Sequence, residues 1–251
     1  MKFRVTGTGN SAQVPCFGCD CPACERARSR PEHRRAPCGA ELHVAGQRYL
    51  IDAGRQDLVE TCEFQRPAAF LMTHYHADHA QGLMRLRWGK GPAIPVHGPR
   101  CSKGFDDLFS NPGLLEFQAG LEPFQLLQFN DGLAVVPVPL NHSLPTIGYC
   151  MEGDSRRLAY LTDTQELPVE TNRFLLSWQP DVVILDATLS PGAAPGNHNT
   201  VPQALAIIER LAPAEAWLTH LSHEVDTLAM QGSLPLPSGT RLAHDGLLLE
   251  I

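Results

Sequence analysis

The chain contains no apolar run long enough to span a bilayer. Its opening, MKFRVTGTGN, carries charge at Lys2 and Arg4 and has no apolar stretch of signal-peptide length. A cytoplasmic location is therefore expected. Positive charge is also short: 20 Lys and Arg face 27 Asp and Glu, for a net charge of -7. This balance argues against a protein that coats nucleic acid, because such binding depends on neutralising phosphates. A small anionic substrate stays open, since a bound metal can dominate the local field. There is no fixed-period repeat, low-complexity tract, Ser/Gly linker or long like-charge run. The 251 residues read as one domain, 1–251, with enough chain to bury a substantial core.

What the chain does have is a series of short apolar, β-branched runs. They are KFRVTG, ELHV and RYLID joined by an Ala45-Gly46 turn, AFLMTH, AIPVHG, LAVVPVPL, IGYCME, LAYLTD, DVVILDA, AWLTHL and LLLEI. Helical patterns fall between some of them: HAQGLMRLRW, VETNRFLLSW and TVPQALAIIERL, the last with Leu205, Ile208 and Leu211 spaced for one face. Hairpins in blocks with helices inserted predict two packed sheets covered by helices, an α/β fold. Several runs end on metal-type side chains: His74, His142, Asp163 and His220. Strands sharing a sheet deliver such residues to one edge, so side chains scattered in sequence can converge.

The densest signal is THYHADH, with His74, His76, Asp78 and His79. In an extended segment alternate residues point the same way, so His74 and His76 can bind one ion. Asp78 and His79 stand where a helix begins and can face a second. The plainer reading is a surface cluster of histidines, but three imidazoles this close would repel on protonation without a metal.

The second signal is Cys19-x-Cys21-x-x-Cys24, in a Pro/Gly-rich polar segment. In a reducing compartment the eight cysteines read as thiols or metal ligands. Three thiolates at this spacing suit one tetrahedral zinc that lacks a fourth ligand nearby. His223, three residues after His220 in THLSH, is the candidate: in an extended stretch it would face away from His220 and be available to a different ion. A site of Cys19, Cys21, Cys24 and His223 would be closed, and therefore structural. Cys16, Cys38, Cys62, Cys101 and Cys150 read as packing residues or ordinary thiols. Gly7-x-Gly9 is a weak motif, better read as a strand-end turn than as a dinucleotide site.

THYHADH, followed in order by PLNHS, YLTDT and WLTHLSH, resembles the signature of the metallo-β-lactamase-like hydrolases. That resemblance implies an αββα sandwich with two metal ions at one edge of the paired sheets. It implies one ion held by His74, His76 and His142, another by Asp78, His79 and His220, and Asp163 bridging both. Asp52, in YLIDAG, matches an Asp that buttresses the metal loop. Asp186, also at a strand end, reads as structural. Two divalent ions with Asp78, Asp163 and a hydroxide would leave a net positive centre suited to an anionic ester. His and carboxylate ligands accept Zn, Mn or Fe alike.

A cysteine-rich insertion at 16–38 paired with THLSH is similar to the phosphodiesterase family of the carbon–phosphorus lyase pathway for phosphonate degradation. LRWG (86–89), DDLF followed by NPGLL, PLNHS, NHNT (197–200) and LPSG add to the likeness, which runs from Gly7 to Gly246. It implies hydrolysis of 5-phospho-α-D-ribosyl 1,2-cyclic phosphate to ribose 1,5-bisphosphate, some activity on 2′,3′-cyclic nucleotides, and a homodimer. It also implies manganese in the active site, zinc in the cysteine site, and His198 as general acid or phosphate contact beside Asp163 and Asp78. Arg87 reads either as a contact for the substrate's terminal phosphate or as a packing residue. Two alternatives stand beside this reading: an RNA-processing nuclease of the same superfamily, and a noncatalytic binding or carrier protein on the same fold.

Overall fold

A computed structural model describes residues 1–251 except 102, 104 and 195. Its first strands are β1 (Lys2–Gly7), β2 (Gly39–Val44), β3 (Gln47–Ile51), β4 (Ala69–Leu71), β5 (Ile94–His97) and β6 (Leu115–Phe117). Then come β7 (Leu127–Gln128), β8 (Ala134–Leu140), β9 (Thr146–Glu152), β10 (Arg157–Leu161), β11 (Val182–Asp186), β12 (Glu215–Thr219) and β13 (Thr240–Leu242). The last strand, β14 (Leu248–Glu250), returns to the first sheet beside β1. Among the described residues two seven-stranded sheets result, ordered β14-β1-β2-β3-β4-β5-β6 and β13-β12-β11-β10-β9-β8-β7.

Side-chain alternation explains why the sheets stack and why helices cover them. Leu158 and Tyr160 of β10 and Val182 and Ile184 of β11 share a cluster with Phe3, Leu42, Ile51 and Leu71 of the opposite sheet. Their neighbours Ala159, Leu161, Val183 and Leu185 face the other way, towards helices. Strands covered on both faces lose the polar half of the alternation and read as continuous apolar runs. Each large side chain fully buried in this way contributes about 1.5–3 kcal/mol. The result is four layers, helix–sheet–sheet–helix.

The helices are α1 (Pro22–Ser29), α2 (Leu58–Phe64), α3 (Ala77–Ala80), α4 (Leu83–Leu86), α5 (Asp106–Ser110), α6 (Val169–Trp178), α7 (Val201–Leu211) and α8 (His223–Met230). Thr200 and Gln203 form a reciprocal capping box at the start of α7, which satisfies backbone donors left free by helix geometry. Its buried face is Val201, Ala204, Ile207, Ile208 and Leu211, with Leu205 only partly covered, a rotation from the face expected. The helix expected over HAQGLMRLRW is two short pieces. Gly82 N turns to donate to Ala53 O at 2.9 Å, and a side chain at Gly82 would strike the Ala53 and Arg55 carbonyls. Among the described residues no helix is long and apolar enough to cross a membrane.

Candidate active site and metal centre

Parallel pairing of β3 with β4, of β10 with β11 and of β11 with β12 sends their C-terminal ends to common edges. Asp52, Asp163 and His220 follow β3, β10 and β12 at φ 64, 60 and 58 degrees. This left-handed conformation costs an ordinary L-residue about 1–2 kcal/mol. It ends each strand abruptly and turns the side chain across the sheet edge. His74, His79, Asp163 and His220 are all buried there, at no more than 1% exposure.

Two donor clusters meet at this edge. His74 Nε2 and His142 Nε2 lie 2.9 and 3.0 Å from His76 Nδ1, and each lies 3.6 Å from Asp163 Oδ2. On the other side, Asp163 Oδ1 is 3.3 Å from His79 Nε2 and 3.5 Å from His220 Nε2. Asp78 Oδ2 completes that cluster, 3.6 Å from both imidazoles. One carboxylate thus turns one oxygen to each cluster.

The donor set fits divalent ions. Ligands held at about 2.0–2.2 Å around one ion stand about 2.8–3.6 Å from each other, from right-angled to tetrahedral geometry, which spans the separations here. His79 Nε2 and His220 Nε2 are buried with no hydrogen-bond partner among the described residues, and such atoms are costly unless something accepts their lone pairs. The opposite ring atoms are already engaged. His79 Nδ1 is 2.7 Å from Asp52 Oδ2, His142 Nδ1 is 3.0 Å from Asn197 O, and His74 Nδ1 is 3.0 Å from Thr73 Oγ1. Burial opposes ionisation of Asp163, but His220, His79 and His74 outweigh it and hold the carboxyl well below its usual range. Asp78 is lowered as well: burial is overcome by His220 and His79.

The N-terminal cluster is equally compact. Cys19 Sγ and Cys21 Sγ lie 3.6 and 3.5 Å from His223 Nδ1, and Cys24 joins them. Sulfur at about 2.3 Å and nitrogen at about 2.0 Å from a tetrahedral zinc are about 3.6 Å apart. Burial raises the Cys21 thiol, but hydrogen bonds from Thr227, the Cys24 backbone, Cys19 and His223 bring it down to about 6. Burial pushes Cys24 up to about 12. The expected reason for His223 facing away from His220 is corrected. The stretch is not extended: His220 turns left-handed, Ser222 caps α8, and His223 opens that helix.

His198 sits at the rim, stacked on His220 at 4.7 Å and 5.0 Å from the His142 ring. It groups with Asp163 and His220 as a third potential donor set. Its Nδ1 is 2.6 Å from Asp186 Oδ2, so Asp186 is a partner of the site and not merely structural. The sign was available, because Asp186 closes a strand as His74 and Asp163 do. Thr73, Thr188 and Ser143 carried no such sign; Ser143 Oγ lies 3.3 Å from His76 Nε2. Arg87 is not at the site. It is buried, bound to Asp107 and to the Asn111 carbonyl, beneath Trp88.

A family model described as a β-lactamase superfamily domain matches residues 47–221, a span that holds every residue of both active-site clusters. The chain belongs to the metallo-β-lactamase superfamily. It has that superfamily's fold and the metal-binding donor set of one of its hydrolases. A solved diphosphatase of the PhnP family is 28% identical and superposes with a TM-score of 0.83, covering 100% of this chain and 97% of that one. An octanoyltransferase of Porphyromonas gingivalis is 28% identical over 98% of this chain and 51% of its own length. A ribonuclease Z of Bradyrhizobium is 33% identical over 45% of this chain and 35% of its own. The chain thus spans about half the length, or less, of these two curated relatives.

Proposed function

We propose that this metallo-β-lactamase-fold protein is a cyclic phosphodiesterase. It opens 5-phospho-α-D-ribosyl 1,2-cyclic phosphate to ribose 1,5-bisphosphate. The observation that carries this reading is His198, held on Asp186 at the rim of a centre whose two clusters share Asp163. The full-length likeness to a diphosphatase supports chemistry at phosphorus.

His74, His76, His142 and Asp163 would hold one divalent cation, and Asp78, His79, His220 and Asp163 the other, manganese or zinc. Ions there would act as Lewis acids on the phosphodiester and lower the pKa of a water. The product keeps its phosphate on O1, so the P–O2 bond breaks, water oxygen joins phosphorus, and O2 takes a proton. His198 is placed to give that proton from Nε2, since Nδ1 is committed to Asp186. Burial would lower its pKa, but the hydrogen bond and charge of the Asp186 carboxylate raise it above the ordinary histidine value. The cysteine cluster takes no part in this step and would hold a structural zinc.

The ribonuclease Z match favours a second reading, an RNA-processing nuclease. Its drawback is the net charge of -7, unsuited to holding an RNA backbone. Manganese- and zinc-loaded protein should be assayed on the ribosyl cyclic phosphate, 2′,3′-cyclic nucleotides and a tRNA precursor. Hydrolysis of the cyclic esters alone fits the proposal, whereas cleavage of the tRNA precursor alone transfers the assignment to the nuclease.

A further inference from the structure

The two halves of the site are braced in the same way. In the first, Asp52 Oδ1 accepts from Thr73 N at 2.8 Å, and Thr73 Oγ1 lies 2.8 Å from Asp52 Oδ2 and 3.0 Å from His74 Nδ1. Asp52 Oδ2 also meets His79 Nδ1 directly. In the second, Asp186 Oδ1 accepts from Thr188 N at 3.0 Å and Thr188 Oγ1 at 2.9 Å. Thr188 Oγ1 then lies 2.7 Å from His220 Nδ1, while Asp186 Oδ2 meets His198 Nδ1 directly. Each half has one buried carboxylate, one threonine relay and two imidazoles, one reached directly and one through the hydroxyl.

Proton counting fixes the direction of these contacts. A carboxylate only accepts, so the single Thr188 hydroxyl proton goes to Asp186. Towards His220 the hydroxyl can then only accept, so His220 Nδ1 carries the proton and Nε2 is bare. That Nε2 is the buried, unpartnered atom facing Asp78 and Asp163. The same carboxylate accepts a hydrogen bond from His198 Nδ1–H. Asp186 also accepts from Thr164 N at 3.2 Å, anchoring the turn that follows Asp163.

We propose that Asp186 is a positioning residue that sets the Nδ1–H tautomer and ring orientation of both His220 and His198. It is the second half's counterpart of Asp52, and Thr188 is its relay to His220. This rests on reading His220 as a metal ligand and His198 as the proton donor. Its test reads tautomers and metal content, neither of which depends on the choice of substrate.

The test is long-range proton–nitrogen NMR on 15N-histidine-labelled, zinc-loaded protein, with His198→Ala and His220→Ala spectra giving the assignments. In the unaltered protein His220 and the neutral form of His198 should show the Nδ1–H pattern. Asp186→Asn should change both, and Asp52→Asn should change His74 and His79 instead. Thr188→Val should change His220 alone, with Thr188→Ser restoring the original signal. Zinc counting should show Asp186→Asn and Thr188→Val losing one active-site ion while the cysteine cluster keeps its own. If Asp186→Asn fails to fold, the Thr188→Val and Thr188→Ser pair decides for the relay. Unchanged His220 signals and zinc content in Thr188→Val would overturn the relay. The same result for both imidazoles in folded Asp186→Asn would overturn the whole assignment.

Discussion

Cys21 Sγ and His223 Nδ1 lie 3.5 Å apart although 202 residues separate them in the chain. The contact ties the cysteine segment to the first turn of α8, and His223 is three residues beyond His220. A cysteine–histidine cluster remote in sequence therefore adjoins an active-site donor.

Replacing Cys21 with Ser should remove one zinc per chain and leave the active-site ions in place. Elemental analysis of dialysed protein measures this. Retention of all the zinc would show that the cluster does not depend on Cys21.

The same segment has a second, metal-independent tie. Arg35 Nε and Nη2 each lie 2.7 Å from an Asp226 oxygen on α8, in a pair almost free of solvent. Asp226→Ala leaves the guanidinium buried without its partner, and loss of one member of such a pair costs about 3–5 kcal/mol. Urea denaturation should show a loss of that order; a loss near zero would mean that water replaces the carboxylate.

Glu41 supplies the pH dependence. Burial raises its pKa, but the hydrogen bond and charge of Arg48, 2.7 Å away, with help from His43, hold it below the ordinary 4.5. A carboxylate depressed on folding stabilises the protein fully above its unfolded pKa, and that contribution fades as pH falls through the folded value. The stability difference between the native protein and Glu41→Gln should thus shrink as pH falls below about 4.5. A difference that persists undiminished in acid, with Glu41 protonated, would contradict the pairing. Loss of metal in acid affects both proteins and drops out of the comparison.

His198→Ala should slow turnover by about 100- to 10,000-fold, the range for removing a positioned acid. Both active-site ions should remain. If one is lost instead, His198 is a ligand, consistent with its grouping beside Asp163 and His220.

Much of this was legible in the sequence because it depends on period and order. Short apolar, β-branched runs marked most of the strands that form the sheets, and THYHADH with three later strand ends located the clusters. The hidden parts depend on long-range contacts. The turn at His220 is held by Leu221 N donating to Thr8 O, from a strand end far away, so nothing local announced that α8 begins at His223. The break between α3 and α4 arises where Gly82 meets Ala53. The short β6, β7 and β13 exist through pairing at sheet edges, without apolar runs of their own. Thr188 is an ordinary loop threonine until folding sets it between Asp186 and His220.

The most direct test of the central claim is phosphorus NMR of the product formed from 5-phospho-α-D-ribosyl 1,2-cyclic phosphate by manganese-loaded protein. The cyclic diester resonance should give way to one new phosphomonoester resonance, that of the 1-phosphate, beside the 5-phosphate already present, and chelation should stop the conversion. Persistence of the cyclic diester with fully loaded enzyme, or opening to the 2,5-bisphosphate, would contradict it.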